Sequence, residues 1–108
     1  MSNATELKTH DEYLAAVNQE GRVVVLFTSP SWCAPCRAFE PHWIRVQMEE
    51  HDIPLYVVRE LLLDERLWAM EECGITTNPT AQLWENGEFV RNIKVPVGGL
   101  AFLADIRT

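Results

Sequence analysis

Two cysteines three positions apart, Cys33 and Cys36, lie where a strand pattern gives way to a helix pattern, and this junction constrains the chain more than any other feature. Upstream, the apolar and largely β-branched run Val23-Val-Val-Leu-Phe27 suits a buried strand. Downstream, Phe39, Trp43, Val46 and Met48 recur at roughly helical spacing, so a helix begins at the cysteines and runs to about Glu50. A cysteine at the start of a helix sits among unpaired backbone N–H groups and at the positive end of the dipole. Both favour the thiolate over the thiol. The two intervening residues let the second cysteine come within disulfide range of the first, and Pro35 fits an early helical position. The arrangement suits a dithiol that opens and closes reversibly.

Bulk properties narrow the setting. The 108 residues have the length of one domain, expected to span 1–108, and 47% hydrophobic with 23% charged residues describe a soluble globule. A formal net charge of −7 argues against nucleic acid or an anionic membrane as partner. No apolar run approaches the roughly 20 residues that span a bilayer. Met1-Ser-Asn-Ala-Thr-Glu6 lacks the basic and apolar parts of a signal peptide. Three cysteines, two of them adjacent in this way, do not make a secreted disulfide framework. A reducing, cytoplasmic setting is the expectation.

In chain order, Thr5-Glu-Leu-Lys8 reads as a short edge strand or an arm. Thr9 is placed to cap a helix through Gln19, with Asp11 and Glu12 in its first turn and Tyr13, Leu14 and Val17 as its apolar face. Gly21 ends it, and the strand Arg22 to Thr28 follows. Pro41 lies inside the next helix and should bend rather than stop it, because the pattern resumes at Trp43. Ile53 to Arg59 reads as a second central strand. Asp64 is placed to cap a helix carrying Leu67, Met70 and Cys73, closed by Gly74. Two strands around Asn86-Gly87 form a hairpin. Leu100 to Arg107 makes the last helix, with Leu100, Leu103 and Ile106 inward. The sum is β-α-β-α-β-β-α: an α/β chain with a mixed sheet of four to five strands and helices on both faces.

Four features together resemble the thioredoxin family over almost the whole chain. Trp32-Cys-Ala-Pro-Cys-Arg37 is similar to the family's Trp-Cys-Gly-Pro-Cys segment. Pro41 stands at its helix-kinking position. Cys73-Gly-Ile-Thr-Thr-Asn-Pro-Thr80 is similar to its cis-proline segment, and Leu83-Trp-Glu-Asn-Gly-Glu-Phe-Val90 to its closing hairpin. The resemblance implies a thioredoxin fold and a thiol–disulfide oxidoreductase. Cys33 would be the exposed nucleophile and the more buried Cys36 the resolving thiol, the two forming a redox-active disulfide. Trp32, Ala34, Pro35 and a cis Pro79 would form the surroundings, with Trp32 shielding one side and Pro35 stiffening the loop. Trp32, Thr77, Asn78 and Pro79 would face the substrate, the Asn78 backbone pairing with an extended peptide. Disulfide-bearing proteins would be the substrates and an external reductase such as thioredoxin reductase would recharge a monomer, without cofactor or metal.

The chain also departs from the family. Thioredoxins carry a buried aspartate in the strand before the active site, and the matching position here is Leu26 or Phe27, neither of which takes up a proton. Deprotonation of Cys36 must then use water, a substrate group or a carboxylate such as Glu40. Ala34 replaces the usual glycine. The Phe27-Thr-Ser-Pro30 run resembles the glutaredoxin-like electron donors of ribonucleotide reductase, which keeps a glutaredoxin-like reading open beside a non-catalytic binding module of the same fold. Intact Cys33 and Cys36 speak against the binding module, because binding needs neither thiol. The ligand count speaks against zinc, since no second cysteine pair completes four ligands. Cys73 reads as a packed thiol, Trp43, Trp68 and Trp84 as packing, and Glu49-Glu50 and Glu71-Glu72 as solvated helix ends. Arg59 has either a structural role or one in setting the field near the dithiol.

Overall fold

The structure, a computed structural model, describes residues 3–108; the reading of the first six residues as lacking a signal peptide falls partly on residues 1 and 2, outside the described ones. Among the described residues five strands form one mixed sheet in the order β1-β3-β2-β4-β5. They are β1 (Ala4–Glu6), β2 (Arg22–Thr28), β3 (Leu55–Arg59), β4 (Thr80–Glu85) and β5 (Glu88–Ile93). The first three run parallel, and β4 and β5 are antiparallel to their neighbours. The α-helices among the described residues are α1 (His10–Val17), α2 (Ala34–Glu49), α3 (Trp68–Glu71) and α4 (Gly99–Arg107). This is the thioredoxin fold expected from the sequence; of the two readings of Thr5–Lys8 the edge strand holds, shifted to Ala4–Glu6 and paired with β3.

The central strand explains the architecture. Val23 to Phe27 are wholly buried, as a strand covered on both faces must be. Its alternate residues enter two separate cores. Val24 and Leu26 pack with Phe39, Trp43 and Val46 of α2 and with Phe102 and Ile106 of α4. Val25 and Phe27 pack on the opposite face with Tyr13 and Val17 of α1 and Ala69 of α3. A one-residue slip would exchange the two cores, so the register is tightly specified.

Local chemistry sets the boundaries. Thr9 and Glu12 form a capping box: the Glu12 N–H donates to Thr9 Oγ1 at 3.1 Å, and Glu12 Oε1 accepts the N–H groups of Thr9 and Lys8. Those backbone donors, Lys8 first and Thr9 next, hold the Glu12 carboxyl below its ordinary pKa. The helix stops at Val17, short of Gln19. Strand β3 begins at Leu55 and not at Ile53, since Pro54 has no N–H to extend a ladder and offers only its carbonyl, to Val24. The β4–β5 turn places Asn86 at φ 53° and Gly87 at φ 81°, the mirror-image turn that fits a two-residue hairpin.

Several packing expectations are corrected. Leu14, Met48 and Leu100 are exposed at 47%, 63% and 61%, because the inward stripes are Tyr13-Ala16-Val17, Phe39-Trp43-Val46 and Phe102-Leu103-Ile106. Leu14 and Leu100 lie about one residue step off their stripes, and Met48 lies on the side of α2 opposite its stripe. Asp64 caps no long helix; it opens a 3-10 turn, Asp64–Arg66, followed by the single turn of α3. The break lets the buried Arg66 donate to the Lys8 carbonyl at 3.0 Å.

Glu50 is not solvated either. Its side chain is 2% exposed and accepts from the N–H groups of Asp52 and Ile53 and from Arg107 Nε at 2.7 Å. Burial works to raise its pKa, but the Ile53 N–H, Arg107 and the Asp52 N–H outweigh burial and hold it below the ordinary carboxylate value. Among the described residues no helix is long and apolar enough to cross a membrane.

Candidate active site

The dithiol sits where β2 ends and α2 begins. Cys33 is the N-cap of α2, joined to Cys36 in a disulfide with Cα atoms 5.2 Å apart. Its Sγ accepts the Cys36 backbone N–H at 3.2 Å, one of the donors a helix start leaves unpaired. Cys36 is fully buried, and its Sγ accepts the Ser29 N–H at 3.4 Å. Cys33 is less exposed than expected, at 6%, because its sulfur lies under the Asn78 carbonyl oxygen, 3.7 Å away. Of the pair it remains the one solvent reaches.

The connecting loop is strapped from several sides. The N–H groups of Trp32 and Cys33 both donate to the Ser29 carbonyl, and Arg37 donates to the Pro30 carbonyl. The Glu60 carboxylate accepts both the N–H and the hydroxyl of Ser31. Glu60 itself adopts φ 60°, left-handed for a residue with a Cβ, while its N–H donates to the Thr28 carbonyl. The Leu61 N–H donates to Ser29 Oγ. Sequence reasoning missed Ser29 and Glu60. Glu60 reaches Ser31 across 29 positions and Ser29 Oγ reaches Leu61 across 32, separations that no local pattern covers, whereas the Ser29 N–H contact to Cys36 spans only seven.

The Asn78–Pro79 peptide is cis, as is Val95–Pro96, which the sequence did not single out. The fold thus brings Cys33, Cys36 and Asn78 together. Ala34 and Pro35 form the first turn of α2 above them, and Trp32, beside Cys33, is 49% exposed. Thr77 stands one residue off this contact; its carbonyl accepts the Thr80 hydroxyl at 2.6 Å.

Comparison with known proteins agrees with this geometry. The family model described as Thioredoxin matches residues 4–106. The chain belongs to the thioredoxin family. It is 25% identical over 92 residues to mitochondrial thioredoxin-3 of Saccharomyces cerevisiae, covering 85% of this chain and 69% of that one. It is 28% identical over 80 residues to thioredoxin H4-1 of rice (Oryza sativa subsp. japonica), covering 74% of this chain and 59% of the relative. Among solved structures, oxidised mitochondrial thioredoxin 3 of S. cerevisiae superposes with a TM-score of 0.75 at 24% identity, covering 96% of this chain and 93% of that one. These relatives are thioredoxins, which leaves the glutaredoxin-like and binding-module readings unfavoured. On this thioredoxin fold the cysteine pair is a thiol–disulfide exchange centre. Members of the family act on disulfide substrates and are themselves reduced by a reductase.

The structure also places the residues that depart from the thioredoxin pattern. Leu26 lies on the α2 face of the sheet and Phe27 on the other, so Leu26 occupies the place beneath the dithiol helix. Glu40, one helical turn beyond Cys36, pairs with Arg59 Nη1 at 2.9 Å, and both side chains are about one-third exposed. Arg59 therefore ties the end of β3 to α2. Cys73 is half-buried on the opposite face, packed against the second core. Burial raises its pKa above the ordinary thiol value, Glu72 adds to the rise, and a hydrogen bond with Tyr13 opposes it. Among the described residues no group of three or more His, Cys, Asp and Glu is arranged to hold a metal.

Proposed function

We propose that this thioredoxin works as a reductant of protein disulfides, in a reducing compartment such as the cytoplasm, as a monomer recharged by an external reductase of the thioredoxin reductase kind. The observation that carries the reading is the asymmetry of the pair. Cys33 caps a helix and takes a backbone N–H on its sulfur, while Cys36 is sealed in behind it. In the reduced protein the Cys33 thiolate attacks one sulfur of a substrate disulfide. A Cys33–substrate bond forms and the other substrate sulfur leaves as a thiolate. Cys36 then loses its proton and attacks Cys33 Sγ. The Cys33–Cys36 bond forms, the second substrate sulfur leaves, and two electrons have passed to the substrate. The Asn78 carbonyl beside Cys33 supports an extended substrate strand docking there by backbone pairing.

An insulin-reduction assay with dithiothreitol tests the reading. The wild-type chain should accelerate precipitation, and Cys33→Ser should return it to the uncatalysed background. Turnover with NADPH and thioredoxin reductase, and not with glutathione, should sustain the cycle. A Cys33→Ser variant that retains activity would overturn the role given to that sulfur.

A further inference from the structure

Resolution requires a fully buried thiol, Cys36, to become a thiolate, and the position beneath its helix holds Leu26, which offers no hydrogen bond. One donor is already on the Cys36 sulfur: the Ser29 N–H at 3.4 Å. The residue before Ser29 is Thr28. By the alternation of β2, Thr28 shares the α2 face with Val24 and Leu26, two positions nearer the dithiol end of the strand. Thr28 is 0% exposed, and its hydroxyl has no hydrogen-bond partner in the disulfide form. A buried hydroxyl is rarely left without one. Its sheet neighbour Arg59 reaches across to Glu40 on the turn of α2 that follows Cys36, which places Thr28 inside the same corner.

We propose that Thr28 is a positioning residue for the second half of the reaction: when the disulfide opens, its hydroxyl donates to the Cys36 sulfur and, with the Ser29 N–H, forms a two-donor seat for the resolving thiolate. This rests on the dithiol cycle above. In the mixed disulfide the Cys36 S–H proton leaves to solvent, and the lone pair left on sulfur is held by the two donors. Cys36 then bonds to Cys33 Sγ as the Cys33–substrate bond breaks, and the departing substrate thiolate takes a proton from water. Closing the disulfide removes the charge and releases the hydroxyl, which matches its unpartnered state. Charged groups on the elements around this corner are Glu40 and Arg59, which face each other, Glu60 on Ser31, and Arg37 on the Pro30 carbonyl.

Thr28→Val keeps the shape and removes the donor, and Thr28→Ser restores it. Stopped-flow measurement on the full chain should separate two rates. Formation of the mixed disulfide by Cys33 should be unchanged in both variants. Resolution should slow by about tenfold in Thr28→Val, the size expected for one hydrogen bond lost at the transition state, and return in Thr28→Ser. The pH midpoint of resolution should move upward only in the valine variant. Thr28→Val should melt no lower than wild type in the oxidised form, since the hydroxyl it loses had no partner there. A valine variant that resolves at the wild-type rate and pH midpoint overturns the proposal, as does one in which both rates fall together. A wild-type chain that forms no mixed disulfide would overturn the dithiol cycle itself, a distinguishable failure.

Discussion

The two faces of the sheet carry cysteines to different chemical ends. On one face the 16-residue α2 lays Phe39, Trp43 and Val46 on β2, closes the layer against Phe102 of α4, and presents Cys33 and Cys36 at its N-terminal tip. On the other, the eight residues of α1 and four of α3 cover less. A cavity of about 370 Å³ remains there, walled in part by His10, Tyr13, Cys73, Trp84 and Phe89. Cys33 stands where a helix starts and donors are free. Cys73 stands just past the end of a single helical turn, beside Glu72, with burial raising its pKa. One location thus favours the thiolate and the other disfavours it. Backbone N–H groups at a helix start supply what an apolar wall and a carboxylate withhold.

The comparison can be broken most forcefully at its packed side. Trp43→Ala should lose about 3–5 kcal/mol in a urea titration, since the indole is wholly buried between β2 and α4. A loss under about 1 kcal/mol would mean that α2 is not anchored as described. At the far end of the same helix, Glu50→Gln should cost about 1–3 kcal/mol at neutral pH. The folded-state pKa of Glu50 is depressed, so its stabilisation is present above the ordinary carboxylate range and fades as pH falls through the folded value. Urea titrations across pH should therefore show wild type and Glu50→Gln converging in acid; a gap that widens in acid would contradict the pairing. The smallest effect belongs to the open face. Cys73→Ala should leave insulin reduction within about twofold of wild type. In the reduced wild-type chain, mass spectrometry should find iodoacetamide on Cys33 well before Cys73 at neutral pH. Cys73 labelling should catch up only as pH rises, because its thiolate appears late. Equal labelling at neutral pH would erase the contrast.

Much of this was legible in one dimension because the signals are short. The apolar run Val23 to Phe27, the Thr9–Glu12 capping box, the Asn86-Gly87 turn and the two-residue gap between Cys33 and Cys36 each act within a few positions. Where several neighbouring residues were equally apolar, the pattern could not choose among them. Leu14 and Leu100 read as inward and are outward, because a short helix offers too few turns to fix its phase.

Two carboxylates, one at each end of α2, show the limit most clearly. From sequence, Glu50 was one of two adjacent helix-end acids, and Glu60 had no reason to be noticed. The fold buries the first under Arg107, 57 positions away, and lays the second across the loop that carries Ser31. The sequence by itself determined the central strand, the capped start of α1, the hairpin turn and the helix tip that two thiols share, since backbone chemistry within a turn or two decides each. Which face Leu26 takes, what lies over Cys33, and whether the Thr28 hydroxyl has a partner were decided only by tertiary structure. Those depend on strand register and on helices brought together from distant parts of the chain.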